Sequence, residues 1–154
     1  LPKPILNRGG CNLSFAGLKT AILRIKSEIK TEQDKFDLAA SFQKTIEEIL
    51  YEKTRKAFDM YLSKNRNQKR TFVVAGGVAA NKGIKCLLNK LSKENKFECL
   101  FPDISLCSDN AAMIALVGLE KYKKKLFDDL NFKVNPRWQL DETAQFLKGA
   151  DIKI

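Results

Sequence analysis

The chain has no histidine among its 154 residues. That absence removes the commonest general base and the commonest metal ligand. The four cysteines, Cys11, Cys86, Cys99 and Cys107, lie far apart and form no Cys-x-x-Cys pair. Zinc sites of the usual kind are therefore excluded from this chain by itself. Catalysis here must use carboxylates, a metal held with help from elsewhere, or binding energy. The scattered thiols read as buried structural cysteines in a reducing compartment. Long hydrophobic runs are also missing: the longest, residues 111–119, is far too short to span a bilayer. No charged start followed by an apolar stretch and a cleavage site is present, so no secretory signal is expected. The chain opens on Leu1 rather than Met, which reads as processing, trimming or a fragment.

Acidic residues are in the minority, 18 against 28 lysines and arginines, for a net charge of +10. Such a balance fits a polyanionic partner such as RNA. The positive charge gathers at Lys64, Arg66, Lys69 and Arg70, and again at Lys121, Lys123, Lys124 and Lys125. Neither cluster is interleaved with aromatics for base stacking, and each taken alone reads as a solvated lysine surface. The hydrophobic content of 44% and the length describe one globular domain able to bury a core.

Periodicity orders the chain. Ser14 reads as an N-cap, and Phe15, Leu18, Ile22, Ile25 and Ile29 make one helical stripe ending near Lys30. Thr31 followed by Asp34 starts a long amphipathic helix through Leu38, Phe42, Ile46, Ile49, Ala57 and Tyr61, to about Leu62. A polar loop, residues 63–70, leads into a strand over residues 71–75, apolar as a strand buried on both faces should be. A helix over residues 79–91, a short strand over 98–101 stopped by Pro102, and a helix over 109–125 capped by Ser108 follow. The last helix is apolar nearly all round in its first half and is expected to be buried. The order strand, helix, strand, helix implies a parallel α/β sheet. Two strands for at least four helices suggest part of a larger sheet with its first strands upstream.

The strand at residues 71–75 runs into Gly76-Gly77 and then a helix start at Asn81. A strand, a glycine turn and a helix N-terminus can make a phosphate-binding corner, or simply the turn of an ordinary βα unit. It is not a Walker A loop, because Gly-Lys-Ser/Thr is missing. Asn81 either bonds a ribose hydroxyl or base edge, or caps its own helix. Asp109 either gains from the helix dipole by roughly 0.3–1 kcal/mol or serves as a hard oxygen ligand at the strand ends. Both residues follow strands, so both could face one cleft.

Five segments then occur in a familiar order: Ser14-Phe15-Ala16-Gly17-Leu18-Lys19-Thr20, Ala40-Ser41-Phe42-Gln43, Ala75-Gly76-Gly77-Val78-Ala79-Ala80-Asn81, Cys107-Ser108-Asp109-Asn110-Ala111-Ala112-Met113-Ile114-Ala115, and Pro136-Arg137-Trp138. Together they resemble the carboxy-terminal half of the TsaD family, also called Gcp or YgjD, over most of residues 1–140. These are tRNA N6-adenosine threonylcarbamoyltransferases, once labelled O-sialoglycoprotein endopeptidases. The resemblance implies the carboxy-terminal portion of an actin-like ATPase (ASKHA) fold, α/β, helix-rich, with an incomplete parallel sheet. On that reading residues 1–154 are a single partial unit. Residues 1–125 are most of the carboxy-terminal lobe without its first strands, and 126–154 are a terminal segment and tail.

The implied reaction moves threonylcarbamoyl from threonylcarbamoyl-AMP to N6 of adenosine 37 in tRNAs reading codons that start with A. The implied cofactor is one divalent metal ion, iron or zinc, held by a His-x-x-x-His pair and a later aspartate. Asp109 matches that aspartate. The histidines would lie upstream, so the metal is expected only with the upstream half present. Asn81 matches the asparagine that contacts the nucleotide-like substrate, and Gly76-Gly77 would line its phosphate or ribose. No residue of the chain is assigned a catalytic role, and the chain alone is expected to be inactive. The implied partners are tRNA, TsaB-like and TsaE-like proteins, with no membrane, in the cytoplasm or an organellar matrix. Asn12, Ala16 and Gln139 depart from the family's usual aspartate, serine and proline. Two alternatives stand beside this reading: a catalytically dead actin-like remnant that binds within the modification complex, and a different actin-fold enzyme such as a sugar or acid kinase. The old protease label finds no His-Glu-x-x-His and no Ser/Cys–His pair.

Overall fold

In the computed structural model, which describes residues 1–65, 68–134 and 136, helix α1 spans Leu18–Ile25 and continues as a 3-10 turn, Lys26–Glu28. It starts later than the apolar stripe suggests because Gly17 adopts φ +85, a left-handed conformation that a helix cannot include. Ser14 bonds locally instead, its Oγ accepting from the Ala16 N–H.

Helix α2, Glu32–Lys64, is 33 residues long, about 50 Å at 1.5 Å per residue. Thr31 and Asp34 form the expected capping box. The Asp34 carboxylate accepts from the N–H groups of Lys30 (2.9 Å) and Thr31 (2.8 Å), and these bonds hold its carboxyl below the usual aspartate range. Thr45, Ile49, Lys53 and Phe58 make the buried stripe of α2. Lys53 is only 2% exposed, and its ammonium donates to the carbonyls of Arg8 (3.0 Å) and Gly10 (3.3 Å). A buried charge is tolerable only when hydrogen-bonded. Here those acceptors belong to the N-terminal strap, which Lys56 also grips through the Leu6 carbonyl and Glu48 through Lys3.

Strand β1, Thr71–Val73, pairs in parallel with β2, Glu98–Leu100, in the register Thr71↔Glu98, Phe72↔Cys99 and Val73↔Leu100. Helix α3, Lys82–Glu94, is the crossover between them. The α/β order expected from the sequence is thus the one observed. The expectation of a strand buried on both faces is not met: Phe72 and Val74 pack toward the core, while Val73 between them is 60% exposed. Alternate residues of a strand point to opposite faces, and only one face of this two-stranded sheet is covered. The core comprises Phe58, Ile84, Leu88, Leu91 and Phe97, ringed by residues of α2, by Phe72 of β1 and by Val74 and Phe101 just past the two strands. Phe58 stacks on Phe97 with centroids 3.9 Å apart and meets Phe72 edge-on at 5.1 Å.

Helix α4, Ala111–Lys123, is two residues shorter at its start than the sequence suggests. Asn110 caps it rather than Ser108, its Oδ1 accepting from the Met113 N–H at 2.9 Å. None of the residues of α4 is buried, contrary to the expectation from its apolar pattern. Periodicity states which surface favours cover; it does not supply the neighbour.

Both α3 and α4 stop in the same way. Phe97 N–H reaches back to the Ser92 carbonyl and Lys96 N–H to that of Lys93. Leu126 and Lys125 bond Lys121 and Tyr122 in the same pattern. These are Schellman stops, with Lys96 (φ +60) and Lys125 (φ +56) at the left-handed position where glycine is usual. The chain forms two compact units, Leu1–Met113 and a second beginning at Ile114. No helix among the described residues is long and apolar enough to cross a membrane.

Candidate functional site

The sequence-predicted residues Gly76, Gly77, Asn81 and Asp109 all follow the carboxyl ends of the two parallel strands, within the Leu1–Met113 unit. In open parallel sheets that edge is where ligands bind. Beyond β1 the chain passes through Gly76 at φ +90 and ψ 171, a conformation essentially reserved for glycine. It then makes a 3-10 turn, Gly77–Ala80, before Asn81 opens α3. The glycine pair therefore feeds this short turn and does not run directly into the helix. The N–H groups of Gly77 and Val78 find no backbone acceptor among the described residues.

The two glycines differ in why they are glycine. A methyl group added at either would meet no atom within 4 Å, so packing requires neither. Gly76 is required by its backbone angle; Gly77 has no such constraint. What remains at Gly77 is a bare stretch of backbone open to an approaching anion. Gly76→Ala should therefore destabilise the chain by about 1–3 kcal/mol. Gly77→Ala should leave its urea midpoint unchanged or slightly raised. Equal stability losses in both variants, measured by urea titration, would refute this division of roles.

Asn81 is the N-cap of α3, its Oδ1 accepting from the Ile84 N–H at 3.1 Å. The same amide pairs with Gln43 of α2, the last residue of the Ala40-Ser41-Phe42-Gln43 motif, to which the sequence alone gives no role. Asp109 lies one residue before the cap of α4, exposed, with no hydrogen bond or ion pair among the described residues. The 3-10 turn Ile104–Leu106 and the buried Cys107 set its position. Among the described residues no three groups of metal-ligating type lie together. Asp109 can thus supply one ligand, and the residues present do not fit a catalytic metal by themselves.

The basic clusters read from the sequence are partly neutralised. Lys69 pairs with Glu98, Lys121 with Asp128 and Lys123 with Glu120; Arg66 lies outside the described residues. A cleaner basic face was missed: Lys82, Lys85, Lys90 and Lys93 of α3, with Lys96 just beyond, are exposed and in no ion pair among the described residues. Lys85 stands 5.1 Å from the centroid of the Phe101 ring. The recurrence of lysine along this helix was the available signal. Arg137 and Trp138 of the Pro-Arg-Trp motif also lie outside the described residues, as does Gln139.

A family model described as TsaD, tRNA N6-adenosine threonylcarbamoyltransferase, matches residues 1–116, a stretch that includes Gly76, Gly77, Asn81 and Asp109. The tRNA N6-adenosine threonylcarbamoyltransferase of Pelagibacter ubique (strain HTCC1062) is 62% identical over 154 residues, all of this chain and 43% of that protein. The protein of the same name from Ruegeria sp. (strain TM1040) is 46% identical over 99% of this chain and 43% of its own length. That of Rickettsia rickettsii (strain Sheila Smith) is 47% identical over 93% of this chain and 42% of its own. The chain spans less than half the length of the curated relatives it matches.

Proposed function

The chain belongs to the TsaD family, and from that membership we propose that it contributes the adenylate-facing side of a tRNA N6-adenosine threonylcarbamoyltransferase with an actin-like fold. In this reaction N6 of adenosine 37 attacks the carbamoyl carbon of threonylcarbamoyl-AMP. The new bond is C–N, the bond that breaks joins that carbon to the phosphate oxygen, AMP leaves with the electron pair, and N6 gives up one proton to solvent. The observation that carries the reading is the open backbone at Gly76-Gly77 beside Asn81, at the sheet edge where ligands bind. The N–H groups of Gly77 and Val78, without a backbone acceptor among the described residues, suit the adenylate phosphate, whose charge grows as AMP departs. Asn81 would hold the nucleoside.

Asp109 would stand as one ligand of a divalent iron or zinc ion whose two histidine ligands come from outside this chain. The partners proposed with it are tRNA and proteins like TsaB and TsaE, in the cytoplasm. The lysines of α3, in no ion pair among the described residues, favour an RNA phosphate backbone as the macromolecular partner.

The test is transfer of labelled threonylcarbamoyl to tRNA by the longest polypeptide that carries this chain. Label on adenosine 37 is expected. Its absence, with adenylate still bound, would turn the reading to a binding remnant. In the same protein, Lys85, Lys90 and Lys93 changed together to glutamine should make the salt dependence of tRNA binding shallower by about two to three in log–log slope. An unchanged slope would remove α3 from the RNA surface.

A further inference from the structure

The amide of Asn81 is held by a chain of side-chain hydrogen bonds whose polarity is set at both ends. At one end the Ile84 N–H, which can only donate, bonds Asn81 Oδ1 at 3.1 Å. At the other the Glu47 carboxylate accepts from Gln43 Nε2 at 2.7 Å. Between them Gln43 Nε2 donates to Asn81 Oδ1 (3.1 Å), and Asn81 Nδ2 donates back to Gln43 Oε1 (3.0 Å). An amide's oxygen and nitrogen are ordinarily hard to tell apart, but a donor at one end and an acceptor at the other leave one consistent assignment.

The valences can then be counted. Asn81 Oδ1 accepts two bonds and is full, and both hydrogens of Gln43 Nε2 are used. The one site left on Asn81 is the second hydrogen of Nδ2, which has no partner among the described residues. A separate observation agrees. A Cβ at Gly83 would stand 2.6 Å from Glu47 Oε1 and 2.9 Å from Gln43 Nε2. Glycine in the first turn of α3 is what lets these two side chains of α2 lie across it.

From this we infer that Gln43 and Glu47 are positioning residues that turn Asn81 into a donor-only contact, so that the ligand atom it meets must be an acceptor. Ribose oxygen, phosphate oxygen and an unprotonated ring nitrogen qualify; an exocyclic amino group does not. The inference rests on Asn81 facing the adenylate, as proposed above, and it adds two residues on another helix and the polarity of the contact.

The test uses Gln43→Met, close in shape and without hydrogen bonds, and Gly83→Ala, which displaces the relay from the other side. AMP is the probe. In the unliganded protein, the two Nδ2 protons of Asn81 should resonate apart in ¹H–¹⁵N spectra, with one slow to exchange. In both variants they should move to the positions of a solvent-exposed amide. AMP affinity should fall about three- to tenfold in each, and the double variant should lose little more than either single one. Unchanged Asn81 resonances would overturn the relay. Resonances that change while AMP affinity holds would overturn the positioning role. Failure of the unaltered protein to bind AMP would overturn the adenylate reading and the positioning role together, while the resonances would still report the relay.

Discussion

Phe58→Ala is expected to lower the stability of the Leu1–Met113 unit by about 3–5 kcal/mol. Phe58 is almost fully buried, lies flat on Phe97 and takes the edge of Phe72, so it joins α2 to the end of α3 and to β1 at once. Its removal takes away a large apolar area and leaves a cavity bounded by elements that cannot all close on it. Against a typical domain stability of about 5–15 kcal/mol, the loss is a substantial share. Urea titration followed by far-UV circular dichroism gives the number. Phe36→Ala serves as the control, because Phe36 is 65% exposed and its loss should cost no more than about 0.5 kcal/mol. A Phe58 effect as small as the control's would mean that the aromatic stack is not the keystone of the unit.

Asp109→Ala should do the opposite, leaving the fold and removing the function. The carboxylate is exposed and bonds nothing among the described residues, so the urea midpoint should shift by no more than about 0.5 kcal/mol equivalent. On the metal-ligand role proposed for Asp109, threonylcarbamoyl transfer by the longest polypeptide carrying the chain should fall about 100-fold. Asp109→Asn keeps the size and loses the charge, and should fall nearly as far. Transfer at the unaltered rate in either variant would take Asp109 out of the site. A large stability loss would instead give it a structural role that its surroundings do not suggest.

The features legible in the sequence were those set by neighbours along the chain. Thr31 and Asp34 are three residues apart, and the capping box they form is local chemistry. The β1–α3–β2 order follows from apolar runs and breakers, and the parallel pairing follows from that order. Asn81 was readable as a cap for the same reason. Its partner Gln43 was not, because 38 residues separate them and only the packing of α2 on α3 brings them together. Gly17 hid the true start of α1, since nothing in its neighbours announces a left-handed angle. Asn110 displaced Ser108 as the cap of α4 although both residue types suit that role. Lys53 was unreadable altogether: one lysine among many, it is buried because the strap supplies carbonyls to receive it.

That last burial makes Lys53 a natural reporter. An amine-reactive reagent would modify the chain's abundant outer lysines at once and leave Lys53 silent while Arg8 and Gly10 cover its ammonium. Labelling at this one position, read by mass spectrometry against time, would then clock the detachment of the strap from α2. The chain thus carries, without any engineered probe, a chemical timer for the opening of the segment that holds Arg8 and Gly10.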